Sequence, residues 1–274
     1  MIVTRIDSDS TISPHDRGLL YGDGFFTTCL VYNSRVVFWN DHKERISHSA
    51  ERLAFSPIDI DAIDSQLADL PKHAVVKIVI TRGVGSRGYA APAEANINCL
   101  IYVTPYCYRA SQPINVAVSD IPISRNKAIA GIKHLNRLDN VLAKTALAAN
   151  HSGLPVDDAL MLDQANVVCS TQANIFTVSN GQVFTPSIAS SGVEGVFKKN
   201  VKRWCRNLGL TLQECQLSLN DIYNAEELFL TNCLKAIMPV KTVGKTTYNQ
   251  PSYSQRLLDM YHREINYSVA SKEQ

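Results

Sequence analysis

Short strand patterns alternating with one clear helical pattern make up the N-terminal part of the chain. Gly24–Tyr32 is rich in β-branched and aromatic residues (Phe25, Phe26, Thr27, Thr28, Val31), and Ser34–Trp39 answers it across a turn at Asn33-Ser34, which predicts a hairpin. From Asp41 to Phe55 the period lengthens: Ile46, Ala50, Leu53 and Ala54 form one stripe while Lys43, Glu44 and Arg52 face water, which predicts a helix lying on a sheet. Two more strands, Ala74–Thr81 and Ile97–Thr104, are joined by a glycine-punctuated loop from Arg82 to Pro92, and Met1–Asp7 reads as a short opening strand.

Cys107–Pro113 has the composition of a linker, which divides the chain into a domain of residues 1–106 and a larger one of residues 114–274. In the second part the pattern predicts strands at Ile114–Val118, Asp158–Leu162, Asn174–Val178, Thr211–Cys215 and Leu228–Thr231. Helices are expected at Leu138–Ala149 (stopped by Ser152-Gly153), Gly195–Leu208 and Gln255–Tyr267. Strands outnumber helices in both parts, so the expected class is α+β.

Composition narrows the functions. The chain has 274 residues, 45% hydrophobic and 19% charged, as in an ordinary globular protein with a substantial core. A formal net charge of +2 without a basic-aromatic stripe argues against nucleic acid. The seven cysteines are scattered and never form C-x-x-C, so most should be reduced core residues. No leader pattern and no apolar run approaching the ~18 residues of a membrane span is seen, so a cytoplasmic protein is expected. No grouping of His, Cys and carboxylates has metal-ligand spacing, and neither a G-x-S-x-G elbow nor a P-loop occurs.

Four segments carry candidate chemistry. Lys133, in Gly131-Ile132-Lys133-His134-Leu135-Asn136-Arg137, is an ammonium among apolar and hydrogen-bonding neighbours, and partial desolvation would free its amine to condense with a carbonyl. Gly192-Val193-Glu194-Gly195-Val196-Phe197-Lys198-Lys199 puts glycines at a helix entry, either an anion seat or simply a turn with solvated lysines. His42 and Arg45 lie one helical turn apart and face either a cleft or water. Arg82, Arg87 and Tyr89 sit on a glycine-rich loop suited to capturing carboxylates, or form a long hairpin tip; Tyr21-Gly22-Asp23-Gly24 reads as a turn whose Asp bonds its own backbone. One amine plus one phosphate cradle are the parts a pyridoxal phosphate enzyme needs.

In this order the segments resemble the fold type IV pyridoxal phosphate enzymes, the group of branched-chain and D-amino acid aminotransferases. The resemblance runs from about Asp16 to Val240 and rests on Asp16-Arg17-Gly18, Gly22-Asp23-Gly24-Phe25-Phe26-Thr27-Thr28, the Arg82–Tyr89 loop and Lys133-His134-Leu135-Asn136-Arg137. Within the group, Thr27 and His134 are similar to the branch of lyases acting on 4-amino-4-deoxychorismate. The resemblance implies a two-domain homodimer with a smaller N-terminal α/β domain and a larger C-terminal domain with a β-barrel-like core. It also implies pyridoxal 5'-phosphate as cofactor and a small-molecule substrate. Lys133 would form the Schiff base and move the proton. Arg45, the amides of Val196 and Phe197 after Gly195, and Asn232-Cys233 would hold the phosphate. Thr27 or Thr28 would orient substrate or water, and Arg87, Tyr89 and Arg137 would meet the substrate. Cys169 stands where the family usually has a Glu paired with the pyridine nitrogen. A neutral thiol makes the ring a poorer electron sink, which should hurt amino transfer more than an elimination ending in an aromatic ring. Where family aminotransferases often have an Arg, Lys198 would offer only a point charge.

Overall fold

The computed structural model describes residues 1–149, 155–248 and 251–266; the expected helix stop at Ser152-Gly153 and the helix end at Tyr267 lie outside the described residues. The chain forms two compact units, Met1–Tyr108 with Ile132–Arg137, and Arg109–Gly131 with Leu138–Gln274. The contiguous division expected from composition puts the Ile132–Arg137 run in the larger domain of residues 114–274, whereas the run groups with the first unit although it follows the second unit's opening strand.

The first unit contains β1 (Ile2–Arg5), α1 (Arg17–Tyr21), β2 (Gly24–Tyr32), β3 (Arg35–Val36), α2 (Trp39–Arg52), α3 (Ile60–Gln66), β4 (His73–Thr81) and β5 (Asn98–Pro105). Its sheet runs β1-β5-β4-β2-β3, antiparallel except where β1 meets β5. Period-two alternation puts Phe25, Cys29 and Val31 of β2 with Ala74, Val76, Ile78 and Ile80 of β4 into one core, against Ile46 and Ala50 of α2 and Ile63 of α3. The hairpin is shorter than Ser34–Trp39: β3 is two residues, because Phe38 takes φ 55° and Trp39 starts α2. Ala54, expected on the helical stripe, lies beyond the helix at φ 52°.

The second unit contains β6 (Ile114–Val118), α4 (Leu138–Ala149), β7 (Asp158–Asp163), β8 (Asn166–Ser170), β9 (Asn174–Ser179), β10 (Gln182–Pro186), α5 (Val196–Asn207), β11 (Leu212–Cys215), β12 (Leu217–Ser218), α6 (Leu219–Tyr223), β13 (Glu227–Asn232), β14 (Ala236–Val243), β15 (Thr246–Thr247) and α7 (Tyr253–Glu264). Its sheet follows β11-β10-β9-β13-β14-β6-β7-β8-β12, with β15 on β14. One face packs Ile175, Leu228, Leu230, Met238 and Val240 around Ile222 and Tyr248. On β9 and β13, the residues of opposite parity include Phe176 and Phe229, whose rings stack at 5.0 Å. Helices α5 and α7 meet through Phe197, Trp204 and Tyr261. Glu227, buried at the start of β13, accepts the backbone N–H of Ser252, Tyr253 and Ser254 at 2.8–2.9 Å and so caps α7 with a charge of the favourable sign.

Candidate active site

In the first unit, two sequence motifs far apart in the chain meet. The Ile132–Arg137 run lies antiparallel beside the start of β2: Phe26 N–H donates to Lys133 O (2.9 Å), Leu135 N–H to Gly24 O (3.0 Å) and Asn136 Nδ2 to Gly22 O (3.2 Å). Gly22 sits at φ 63° with Asn136 Oδ1 where a Cβ would project, 2.3 Å from it, so only glycine fits the turn. Lys133 is half-buried, with its Nζ 4.6 Å from the centroid of the Phe26 ring. The ring face and the partial burial give the amine a defined position part-way out of water.

The two threonines of β2 separate by parity. Thr27 is buried on the core side, its Oγ1 2.6 Å from Nδ1 of the buried His42. Thr28 is half-buried on the opposite face, the one that carries Phe26. His42 therefore faces the core, not a cleft or water. Burial, with the positive charge of Arg45 as a second cause, holds its imidazole well below the usual range. Arg45, one turn further along α2, is half-buried. Composition and spacing gave no signal for Lys77, which pairs with Thr28 across β2 and β4 and brings its Nζ within 5.1 Å of the same Phe26 ring. Its only mark in the sequence is a polar residue between the buried Val76 and Ile78.

The arginines have distinct tasks. Arg82 is buried, with Nε on Asp23 (2.9 Å), Nη1 on Ala54 O (2.9 Å) and Nη2 on Leu53 O (2.7 Å), so it holds the fold together. Asp23 receives Arg82 and Arg17 instead of its own backbone. Arg137 turns back on its own run, donating from Nε to His134 O (3.0 Å) and from Nη2 to Ile132 O (2.8 Å). Arg87 and Tyr89 are exposed on the loop, Tyr89 at 88%.

In the second unit, Gly195 is the N-cap of α5 and supplies no side chain to the amides of the first turn, which have no acceptor inside the helix. Asn174 Nδ2 donates to Val193 O (2.9 Å), and a Cβ on Gly195 would sit 2.0 Å from Asn174 Oδ1. Gly131 is joined to the same turn, donating to Gly192 O (3.1 Å) and accepting from Glu194 N–H (3.0 Å). Asn232 closes a small turn, its Oδ1 receiving Leu234 N–H (3.0 Å) and Lys235 N–H (2.8 Å), and Cys233 is half-buried within it. The Thr231 hydroxyl is buried with no hydrogen-bond partner.

Lys198 is not the solvated lysine the sequence allowed. It is wholly buried, and its Nζ donates to Pro186 O (3.0 Å), Glu194 (2.9 Å) and Glu214 (2.7 Å). Lys202 bridges the same two carboxylates at 2.8 Å. Burial alone would raise the Glu214 carboxyl, yet hydrogen bonds from Lys198 and Lys202 hold it below its usual range; burial alone would lower Lys202, yet hydrogen bonds to Glu194 and Glu214 hold it above its usual range. The network spends the Lys198 charge on α5, β11 and the carbonyl of Pro186. Cys169 of β8 is buried in an apolar cluster with Ile123, Ala143, Met161 and Val168.

Comparison with known proteins gives these parts a setting. The chain belongs to the amino-transferase class IV family, whose model matches residues 24–243. It is 33% identical over 258 residues to a protein of Methanocaldococcus jannaschii provisionally named a branched-chain-amino-acid aminotransferase, covering 89% of this chain and 86% of that one. It is 30% identical over 239 residues to the aminodeoxychorismate lyase of Vibrio harveyi, covering 84% of this chain and 86% of that one. The crystal structure of 4-amino-4-deoxychorismate lyase from Pseudomonas aeruginosa matches with a TM-score of 0.85 at 29% identity, over 94% of this chain and 97% of that one.

The architecture is accordingly α+β of fold type IV, and the family depends on pyridoxal phosphate. Each unit has a part whose chemistry suits that group: in the second, a helix start at Gly195 without a side-chain cap, suited to an anion, and in the first, the half-buried primary amine of Lys133, suited to an aldehyde. No metal-holding group of His, Cys, Asp and Glu occurs among the described residues, and no helix among them is long and apolar enough to cross a membrane.

Proposed function

We propose that this protein is a pyridoxal phosphate-dependent lyase that converts 4-amino-4-deoxychorismate to 4-aminobenzoate and pyruvate. The observation that carries the choice of reaction is Cys169, a thiol in an apolar cluster at the place where the family usually has a carboxylate. Bound pyridoxal phosphate supplies an aldehyde for the substrate amine and a ring that withdraws electrons from the carbon bearing it. With a neutral partner the ring withdraws less. A reaction driven by aromatisation tolerates that loss better than amino transfer, which needs the ring to store the electron pair.

In this reading Lys133 would hold the cofactor through its aldehyde and would take the proton from the amine-bearing carbon of the substrate. The electron pair left on that carbon moves into the six-membered ring as the bond to the enolpyruvyl oxygen breaks. Protonation of the departing enolpyruvate gives pyruvate. Thr28 orients the substrate or a water, with Thr27 engaged by His42. Arg45, the amides of Val196 and Phe197, and the Asn232-Cys233 turn would hold the phosphate. Arg87, and Lys77 beside Phe26, provide positive charge for the substrate carboxylates, and two copies of the chain form the working enzyme.

The competing reading, an aminotransferase acting on D- or branched-chain amino acids, is favoured by the Methanocaldococcus relative. A catalytically impaired homologue is the third, because of Cys169. Purified protein loaded with pyridoxal phosphate should release 4-aminobenzoate from 4-amino-4-deoxychorismate. Rapid amino transfer from D-alanine or branched-chain amino acids to 2-oxoglutarate, without 4-aminobenzoate, would reject the lyase. Silence in both assays would leave the impaired homologue.

A further inference from the structure

The loop that carries Arg87 is wrapped around a single buried side chain. Arg17, 3% exposed, donates from Nη1 to Gly88 O (2.9 Å) and from Nη2 to Tyr89 O (2.9 Å), while its Nε is fixed by Asp23 (2.8 Å). Its backbone N–H donates to Gly83 O (2.8 Å), and Gly88 N–H reaches the hydroxyl of Tyr21 at 3.3 Å. Gly85 lies so close to the aliphatic shaft that an added Cβ would be 2.8 Å from Arg17 Cδ. The loop thus follows the Arg17 side chain from its base to its guanidinium. Arg87 projects between the anchored Gly85 and Gly88 and is itself exposed.

Three glycines within Gly83–Gly88 would leave an unanchored loop with wide conformational freedom, and that freedom would have to be surrendered each time Arg87 gripped a ligand. We infer that Arg17 is a positioning residue: by binding the Gly88 and Tyr89 carbonyls it holds Arg87 ready for a carboxylate of the substrate. This rests on the proposed role of Arg87 toward an acidic substrate, and it adds the residue that makes the role possible. Lysine cannot replace Arg17, because one ammonium does not span Asp23 and two separate carbonyls with planar, divergent donors.

The test uses the holoenzyme with 4-amino-4-deoxychorismate, and compares wild type with Arg17→Met, Arg17→Lys, Gly85→Ala, Arg87→Ala and the Arg17→Met/Arg87→Ala double variant. Trypsin cleavage after Arg87 reports the loop independently of activity. Gly85→Ala displaces the loop from the Arg17 shaft while leaving the ion pairs with Asp23 in place, so it serves if Arg17→Met folds poorly. Expected are faster cleavage at Arg87 in Arg17→Met, Arg17→Lys and Gly85→Ala, and a KM raised about tenfold in all three with kcat changed less than about twofold. The double variant should be no worse in KM than Arg87→Ala alone. Unchanged KM in Arg17→Met and Gly85→Ala, alongside a raised KM in Arg87→Ala, would overturn the positioning role. Unchanged KM in Arg87→Ala would instead remove the reading of Arg87 on which it rests, and unchanged trypsin cleavage in all loop variants would refute the anchor itself.

Discussion

Phe26 holds Lys133 twice, by its backbone N–H on the Lys133 carbonyl at 2.9 Å and by its ring 4.6 Å from the Lys133 Nζ. The backbone contact fixes where the side chain starts, and the ring fixes where the amine ends. Lys133→Ala should therefore abolish covalent, borohydride-trappable attachment of pyridoxal phosphate. The fold should survive, with a loss within about 1 kcal/mol, because the backbone bond remains and only a half-buried side chain is removed. Peptide mapping of the reduced adduct checks this: attachment persisting at another lysine in Lys133→Ala would defeat the assignment.

Cys169→Glu should change which reaction the protein favours. A carboxylate at this position restores a charged partner for a pyridinium, so the rate of amino transfer should rise about tenfold or more relative to elimination. In the protein without cofactor, the same carboxyl among Ile123, Ala143, Met161 and Val168 should cost about 1–3 kcal/mol of stability. Single-turnover spectra with an amino acid donor measure the first effect and urea denaturation the second. An unaltered ratio of the two rates would show that Cys169 does not govern the choice.

His42 predicts an acid limb in stability. Its imidazole is neutral in the folded protein because burial, and then the Arg45 charge, hold it well below the usual 6.5. The unfolded chain takes up that proton below 6.5, so the folded state has its full advantage above that pH and loses it as the pH falls, by up to about 1.4 kcal/mol per pH unit. His262, lowered by burial against the opposing pull of Asp259, contributes with the same sign. Unfolding free energies between pH 5 and 7.5 should slope upward in wild type and less steeply in His42→Gln. Parallel slopes in the two proteins would contradict the assignment.

Lys198→Met tests the four-charge network. Removing the buried ammonium takes a donor from Pro186 O, Glu194 and Glu214, while Lys202 still bridges the two carboxylates; because both carboxylates are partly exposed, the expected loss is about 1–3 kcal/mol. Chemical denaturation measures it. A neutral or stabilising result would mean that apolar packing at this place serves as well as the ion pairs.

Much of the fold was legible because it follows periodicity. The two-residue period of β2 and β4 and the helical period of α2 and α5 are direct consequences of which side chains must leave water, and the observed α5, Val196–Asn207, lies inside the expected Gly195–Leu208. The elements that were missed lack that signature. Strand β14 contains Pro239, a residue that argues against an interior strand, yet it pairs with β13 and β6. Helix α1 has five residues and exists through local bonds, among them Asp16 Oδ1 accepting the Gly18 N–H at 2.7 Å. Of the candidate site, the sequence named Lys133 and the Gly195 turn as chemistry-bearing, but it did not separate the tasks of similar residues. Thr27 and Thr28 are neighbours of one type, and only the parity of β2 against α2 puts the first on His42 and the second on the other face.

The amino-acid sequence by itself determined the α+β class, the main strands and helices, and the strings that mark the family, because these depend on local pattern and on residue identity. The tertiary structure alone decided which charges are spent on the fold and which stay exposed. Arg82 and Lys198 are committed to carbonyls and carboxylates, most of them far away in sequence, while Arg87 is left outside on a loop held by Arg17. Hydrogen bonds are short-ranged and directional, so a cation's task is fixed by the acceptors that folding brings within about 3 Å of it, and no linear pattern records those.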